Sequence, residues 1–243
     1  MPDTNTNATP IAALAGTAWP PGIQPNIPIP GYPNTWTHTP ARAPFPRAAG
    51  RTELAGPLAL HRKLPCGLMN LAEVVPGRRA VGQLMHIEGR VLDEAGRPVP
   101  GAVVELWQAN AGGRYLHPID QAAAPLDPNF EGHGRVLTDA DGRYAFFTIK
   151  PGAYAVPVQE TWWRPPHVHF SVFGPSCLSR LVTQMYFPGD PLNEIDRILQ
   201  SIPDAAARQR MIARFLPPAS VGDQHLGFVH DIVLRGRQQT PEG

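Results

Sequence analysis

Seven short runs rich in Val, Ile, Leu, Phe and Tyr, punctuated by Gly, Pro and Asp, follow one another from Gly82 onward and point the chain to β-structure. They are Leu84–Leu92, Ala102–Gln108, Gly134–Thr138, Tyr144–Ile149, His167–Phe173, Leu181–Phe187 and Phe228–Leu234. Runs of this length separated by tight turns predict an all-β sandwich or barrel. The turns read as D-E-A-G at Asp93–Gly96, D-A-D-G at Asp139–Gly142 and K-P-G at Lys150–Gly152. D-A-D-G resembles the opening of a calcium loop but lacks that loop's distal glutamate, so a hairpin turn is predicted. One stretch departs from the pattern. Asp204–Phe215 (DAAARQRMIARF) follows Pro203 and is rich in Ala, Arg and Met, which predicts a peripheral helix.

The N-terminal part is of another kind. Prolines crowd into residues 1–46, through PGIQPNIPIPGYP and ARAPFP. Proline removes a backbone donor and restricts its neighbour, so this segment resists both helix and central strand. It predicts an extended arm, with residues 21–46, carrying Tyr32, Trp36 and Phe45, docking on a partner subunit. The predicted organisation is an arm over 1–46 and one domain over 47–243. The fold class is all-β, a mixed-topology β-sandwich with a peripheral helix.

Charge narrows the partner. The formal net charge is +1 with no long basic run, which argues against nucleic acid and for a small molecule or another protein. Cys66 and Cys177 lie far apart and outside any C-x-x-C pattern, and both read as reduced thiols. The first ten residues hold no Lys or Arg and the apolar stretch after them is short, so neither a secretory signal nor a membrane span is predicted. A cytoplasmic location is the default expectation.

The strongest local signal is H-V-H at His167–His169, inside WWRPPHVHF. Alternate strand residues share a face, so His167 and His169 can converge on one ion. Imidazole suits iron, copper, zinc and nickel alike, and the pair alone does not choose among them. A cupin would continue with a glutamate a few residues on, whereas here F-S-V-F-G-P-S-C follows. Any further ligands must come from elsewhere in the chain. His117, His86, His133, His225 and His230 are read as structural.

Four segments together, ELWQANAGGRY (Glu105–Tyr115), APLDPNFEGHGRVLTDADG (Ala124–Gly142), IKPGAYA (Ile149–Ala155) and RPPHVHF (Arg164–Phe170), resemble the intradiol ring-cleavage dioxygenases. The similarity is greatest to the β subunits of protocatechuate 3,4-dioxygenases. TQMYFPGDPL and DIVLRG extend it, so that it covers roughly residues 28–238. The resemblance implies a non-haem Fe(III) centre held by Tyr115, Tyr154, His167 and His169. By that analogy Tyr154 and His169 are axial, and Tyr115 and His167 equatorial. A phenol ionises near pH 10 in water and a trivalent ion lowers that value, giving a hard anionic oxygen ligand.

The resemblance further implies a small aromatic substrate and O2, with cleavage of protocatechuate between its hydroxyl-bearing carbons to a muconate. Tyr154 would accept a substrate proton, and Arg164 would stabilise negative charge at the reacting ring. Gln184 and Tyr32 would line the substrate pocket. A homologous alpha subunit would complete a hetero-oligomer, a homo-oligomer being the alternative. Close relatives continue after Tyr154 with Trp and Arg, whereas this chain has Ala155, Val156 and Pro157. The smaller Val156 would open space in the pocket, leaving another substituted catechol as an alternative substrate. A metal-free sandwich that only binds a ligand is the remaining alternative, since such folds host many functions.

Overall fold

The computed structural model describes residues 68–156, 161–174, 180–217 and 225–234. Two sheets face each other. The first has strand order β1-β5-β2-β11-β10, with β12 also pairing β2, and the second has order β4-β3-β8-β9. The strands of the first are β1 (Leu68–Asn70), β2 (Leu84–Leu92), β5 (Arg143–Ile149), β10 (Arg214–Leu216), β11 (Leu226–Val229) and β12 (Ile232–Val233). Those of the second are β3 (Val103–Gln108), β4 (His133–Leu137), β8 (His167–Phe173) and β9 (Arg180–Tyr186). The second sheet is antiparallel throughout, whereas in the first β1 pairs with β5, and β11 and β12 pair with β2, in parallel. A two-stranded ribbon, β6 (Tyr154–Ala155) and β7 (Trp163–Arg164), stands apart from both. The all-β, mixed-topology sandwich expected from the sequence is the fold found.

The core lies between the sheets and follows strand alternation. Met85, Ile87 and Val91 of β2 and Tyr144 and Phe146 of β5 meet Val104 and Leu106 of β3 and Val168, Phe170 and Val172 of β8. Each fully buried side chain of this size stabilises the fold by about 1.5–3 kcal/mol. Their sequence neighbours Glu105, Trp107, His167, His169 and Ser171 therefore project from the opposite, outer face of the second sheet. That inversion places both histidines of H-V-H outside the core on one surface.

Three expectations need correction. The D-A-D-G turn closes as read, with Asp139 Oδ1 accepting the N–H groups of Asp141 and Arg143 at 2.9 and 2.8 Å. The strands it joins, β4 and β5, however, belong to opposite sheets, so it is a corner between layers rather than a hairpin. The predicted helix over 204–215 is shorter. Asp204 caps a helix of only six residues (Ala205–Arg210), which ends at Met211. Beyond it, Tyr186 N–H donates to Met211 O and Ala213 N–H to Tyr186 O, and Arg214–Leu216 then pairs with β11. Tertiary pairing outweighs the helical composition there. The run Phe228–Leu234 is two strands, because the Asp231 carboxylate takes the Arg90 N–H at 2.9 Å where a backbone carbonyl would otherwise do so.

The arm, Tyr32, Cys66, Cys177 and Pro157 lie outside the described residues. Among the described residues, no helix is long and apolar enough to cross a membrane.

Candidate metal centre

The outer face of the second sheet carries the two histidines beside β9, with His167 opposite Tyr186 and His169 opposite Gln184. On the other side of β8, Trp107 of β3 is the register partner of His169 and stacks on it, rings 4.9 Å apart and 5° from parallel. His167 Nδ1 lies 2.7 Å from the Pro165 carbonyl, which can only accept, so Nδ1 carries the proton and Nε2 presents its lone pair. Burial, then the nearby Arg164 and His169, hold the His167 imidazole well below its ordinary pKa. Burial and Arg164 bring His169 down to about 3. Both rings are thus neutral at physiological pH, the state in which imidazole binds a metal.

Two glycine turns bring in the tyrosines. Asn110 holds the first turn, its Oδ1 accepting Gly112 N–H and Arg114 N–H at 2.9 and 3.0 Å, while its amide donates to Pro125 O at 2.9 Å. Asp120 accepts the Tyr115 N–H at 2.8 Å. The K-P-G turn that leads to Tyr154 packs backbone to backbone on the Asn110 turn, and Gly152 N–H donates to Asn110 O at 3.0 Å. A Cβ at Gly113, whose φ is +82°, would stand 2.3 Å from Ala153 O, and one at Gly152 would stand 2.5 Å from Ala111 O. Glycine at both positions is what lets the two tyrosine-bearing segments touch.

The result is a convergence of donors. Tyr115 Oη lies 3.2 Å from His167 Nε2 and 3.0 Å from His169 Nε2, and the two nitrogens are 3.1 Å apart. The three atoms form a nearly equilateral triangle, each within about 2 Å of a common point, the bond length of nitrogen and oxygen donors to a transition metal. Tyr154 closes the group as a ring neighbour, its centroid 5.6 Å from those of both Tyr115 and His167. Among the described residues, no cluster of three or more His, Cys, Asp or Glu could hold a metal. Any ion at this site therefore draws on the phenols as well as the imidazoles, a mixed hard and borderline set suited to a trivalent ion.

Arg164 stands behind the group. It is the register partner of Tyr154, is only 1% exposed, and its Nη1 donates to His167 Nε2 at 3.3 Å. Its Nε and Nη2 contact Asp196 Oδ1 and Oδ2 at 3.1 and 3.0 Å, and Nη2 also reaches Gln184 Oε1 at 2.7 Å and Tyr186 Oη at 2.8 Å. Burial opposes its charge, but Tyr186, Asp196 and Tyr154 outweigh that and hold the guanidinium more firmly protonated than usual.

Of the residues expected at the site, Tyr115, Tyr154, Arg164, His167, His169 and Gln184 come together, and Tyr32 lies outside the described residues. His117 sits in an exposed loop, its Nδ1 accepting Ile119 N–H at 3.2 Å. His86 stacks on Phe147 on the far sheet, and His230 lies against Phe170 in the core. Asn110, Asp196 and Tyr186 join the site without being predicted from the sequence. The N-A-G-G turn was a readable signal for the first, and an aspartate before a helical run for the second.

The family model described as Dioxygenase matches residues 67–236. The chain is 57% identical to the protocatechuate 3,4-dioxygenase beta chain of Burkholderia cepacia over 161 residues, 66% of this chain and 68% of that one. It is 42% identical to catechol 1,2-dioxygenase 1 of Acinetobacter lwoffii over 44% of this chain, and spans only 36% of that protein's length. Among solved structures, catechol 1,2-dioxygenase from Pseudomonas arvilla C-1 superposes with a TM-score of 0.53 at 28% identity, over 72% of this chain and 59% of that one.

Proposed function

Because the chain belongs to the intradiol ring-cleavage dioxygenase family, we propose that it opens protocatechuate with O2 between the hydroxyl-bearing carbons, giving 3-carboxy-cis,cis-muconate. The observation that carries the reading is the convergence of Tyr115, His167 and His169 within about 3 Å of one another, beside Tyr154 and a buried arginine. Tyr115, Tyr154, His167 and His169 would hold a ferric ion. Bound there, the ion would supply a Lewis-acidic centre for the two catechol oxygens.

The chain's own groups do the rest. Tyr154 sits on a short ribbon rather than in the sheet, so its ring can move aside and its phenolate oxygen can take a proton from a substrate hydroxyl. Arg164 faces the histidines with a fixed positive edge, which stabilises negative charge as it develops on the ring. Gln184 holds the guanidinium from its other side, accepting from Nη2 at 2.7 Å. Tyr32 would touch the substrate from the arm.

A partner chain would complete the pocket. A buried carboxylate needs a cation, and the nearest guanidinium, Arg164, is already engaged by Asp196. Leu116, Trp163 and Ile195 follow, precede and precede Tyr115, Arg164 and Asp196 in sequence, and all three are exposed apolar side chains. A homologous alpha chain that brings the missing cation would cover such side chains. The second reading, another substituted catechol, rests on Val156, which is buried and smaller than the tryptophan that the family resemblance implies after Tyr154.

One panel tests these readings. Oxygen uptake by the iron-loaded protein, alone and co-expressed with a neighbouring alpha-like gene, is measured on protocatechuate, catechol and methoxylated catechols. Highest kcat/KM on protocatechuate, and only with the partner, is expected. A methoxylated catechol preferred tenfold overturns the substrate, and a fully active lone chain overturns the partner.

A further inference from the structure

Arg164 is the largest fully buried side chain among the described residues, and a buried guanidinium persists only where its charge and its N–H groups are met. The carboxylate that meets it, Asp196, is itself 0% exposed. The pairing is side-on. Nε and Nη2 take the two carboxylate oxygens at 3.1 and 3.0 Å, and Nη1 is left turned toward the histidines, 3.3 Å from His167 Nε2. A planar fork held by two parallel bonds has one orientation, so the carboxylate decides which nitrogen faces the site.

Asp196 is in turn held by a separate element. It is the N-cap of α1 (Arg197–Gln200), its Oδ2 accepting Leu199 N–H at 3.2 Å. Its own N–H donates to Leu192 O at 2.9 Å within the turn Pro191–Glu194, and Asn193 of that turn donates to Phe187 O at 2.8 Å. The Tyr186 hydroxyl lies 2.9 Å from Asp196 Oδ2 and 2.8 Å from both Arg164 Nη2 and Gln184 Oε1, and so fills the angle between them. Asp196 is bonded to Arg164, Tyr186 and its own helix turn.

We propose that Asp196 is a positioning residue for the ring-cleavage reaction, fixing Arg164 with its Nη1 edge toward the reacting ring while α1 fixes Asp196. This rests on the dioxygenase reading given above. A neutral acceptor of the same shape would not replace it, because asparagine offers one oxygen where the fork needs two and leaves the buried guanidinium uncompensated. The effect belongs to the reacting state and not to substrate capture, since the negative charge that Arg164 meets develops on the ring only as it reacts.

The test is a double-mutant cycle on the full-length, iron-loaded protein, with activity counted per bound iron. Asp196→Asn should lower kcat at least tenfold with KM changed less than threefold, and Asp196→Glu, which keeps the charge, should recover part of the loss. In an Arg164→Ala background, Asp196→Asn should change kcat less than twofold, because there is no guanidinium left to position. Should Asp196→Asn not fold, Tyr186→Phe takes its place, with a loss of about threefold that likewise vanishes without Arg164. A readout free of turnover accompanies it. In metal-free protein, the Arg164 Nε–H signal, identified by its loss in Arg164→Lys, should be protected from hydrogen exchange and should exchange at least tenfold faster in Asp196→Asn. Equal kcat losses with and without Arg164, an unchanged kcat, or unchanged exchange would each overturn the proposal. Wild-type protein that cleaves no catechol defeats the dioxygenase reading itself, and is seen before any variant is made.

Discussion

Replacing Gly113 with alanine tests whether contact between the two glycine turns is what assembles the tyrosines. The new Cβ would stand 2.3 Å from Ala153 O and 3.2 Å from Tyr154 Cβ, at a backbone φ of +82°. The left-handed backbone alone costs about 1 kcal/mol for a residue bearing a Cβ. Relieving the overlap requires the turns to part, a repacking that costs about 1–3 kcal/mol. The sum, about 2–4 kcal/mol, corresponds to a fall in Tm of roughly 5–15 °C for a chain of this size. Gly96→Ala is the control, since Gly96 has a φ of +78° with nothing within 4 Å of the added Cβ. It carries the backbone cost without the collision. Both variants are purified and compared by thermal melting, iron per chain and visible absorption from phenolate-to-Fe(III) charge transfer. Gly113→Ala should lose more than half of its iron and shift the band, whereas Gly96→Ala should keep both. A destabilised Gly113→Ala with full iron and an unmoved band would refute the argument that docking of the turns positions Tyr115 and Tyr154.

Three further outcomes follow from the same geometry. Arg164→Ala should lower kcat by about 10²–10³-fold with iron retained, as loss of a preorganised charge does, and should destabilise the fold by about 3–5 kcal/mol by orphaning Asp196; unchanged turnover would contradict its role. His230, buried against Phe170, has its pKa lowered to about 4, chiefly by desolvation. The unfolded chain therefore takes up the proton first, and stability contributed by neutral His230 is present above about pH 6.5 and lost as pH falls toward about 4. Denaturant titrations from pH 4 to 8 should show a shallower acid-side decline in His230→Phe, and parallel curves would contradict the assignment. Asn110→Ala removes two turn acceptor bonds and one donor, and should cost about 1–3 kcal/mol with weaker iron retention; unaltered iron content would argue against the turn's role.

Much of this molecule was legible in its residues, and the failures have physical causes. Strand alternation announced that His167 and His169 share a face, and the outer surface of the second sheet bears that out. Tyr115 and Tyr154 could not be brought to them by periodicity, because their approach depends on glycine turns that are far apart in sequence. Family resemblance supplied that pairing. The D-A-D-G motif predicts a turn, which forms, and a hairpin, which does not, since the bonds that close it are local and say nothing about which sheets its strands join. The helix predicted over 204–215 ends early for the opposite reason, as long-range pairing of Met211 and Ala213 with Tyr186 cuts it short. Asp196 stayed hidden because its partner is 32 residues away, and an aspartate in sequence gives no sign of complete burial.

The central claim is that two tyrosines and two histidines hold a ferric ion whose chemistry opens the ring between the hydroxyl-bearing carbons. Its most direct test is the identity of the product formed by iron-loaded protein from protocatechuate and O2, followed by ultraviolet absorption and mass spectrometry, for wild type and for Tyr115→Phe and Tyr154→Phe. The account expects 3-carboxy-cis,cis-muconate from wild type, together with a visible band that weakens or shifts in each tyrosine variant. A yellow semialdehyde as the main product, or full activity from a colourless zinc protein, would contradict it.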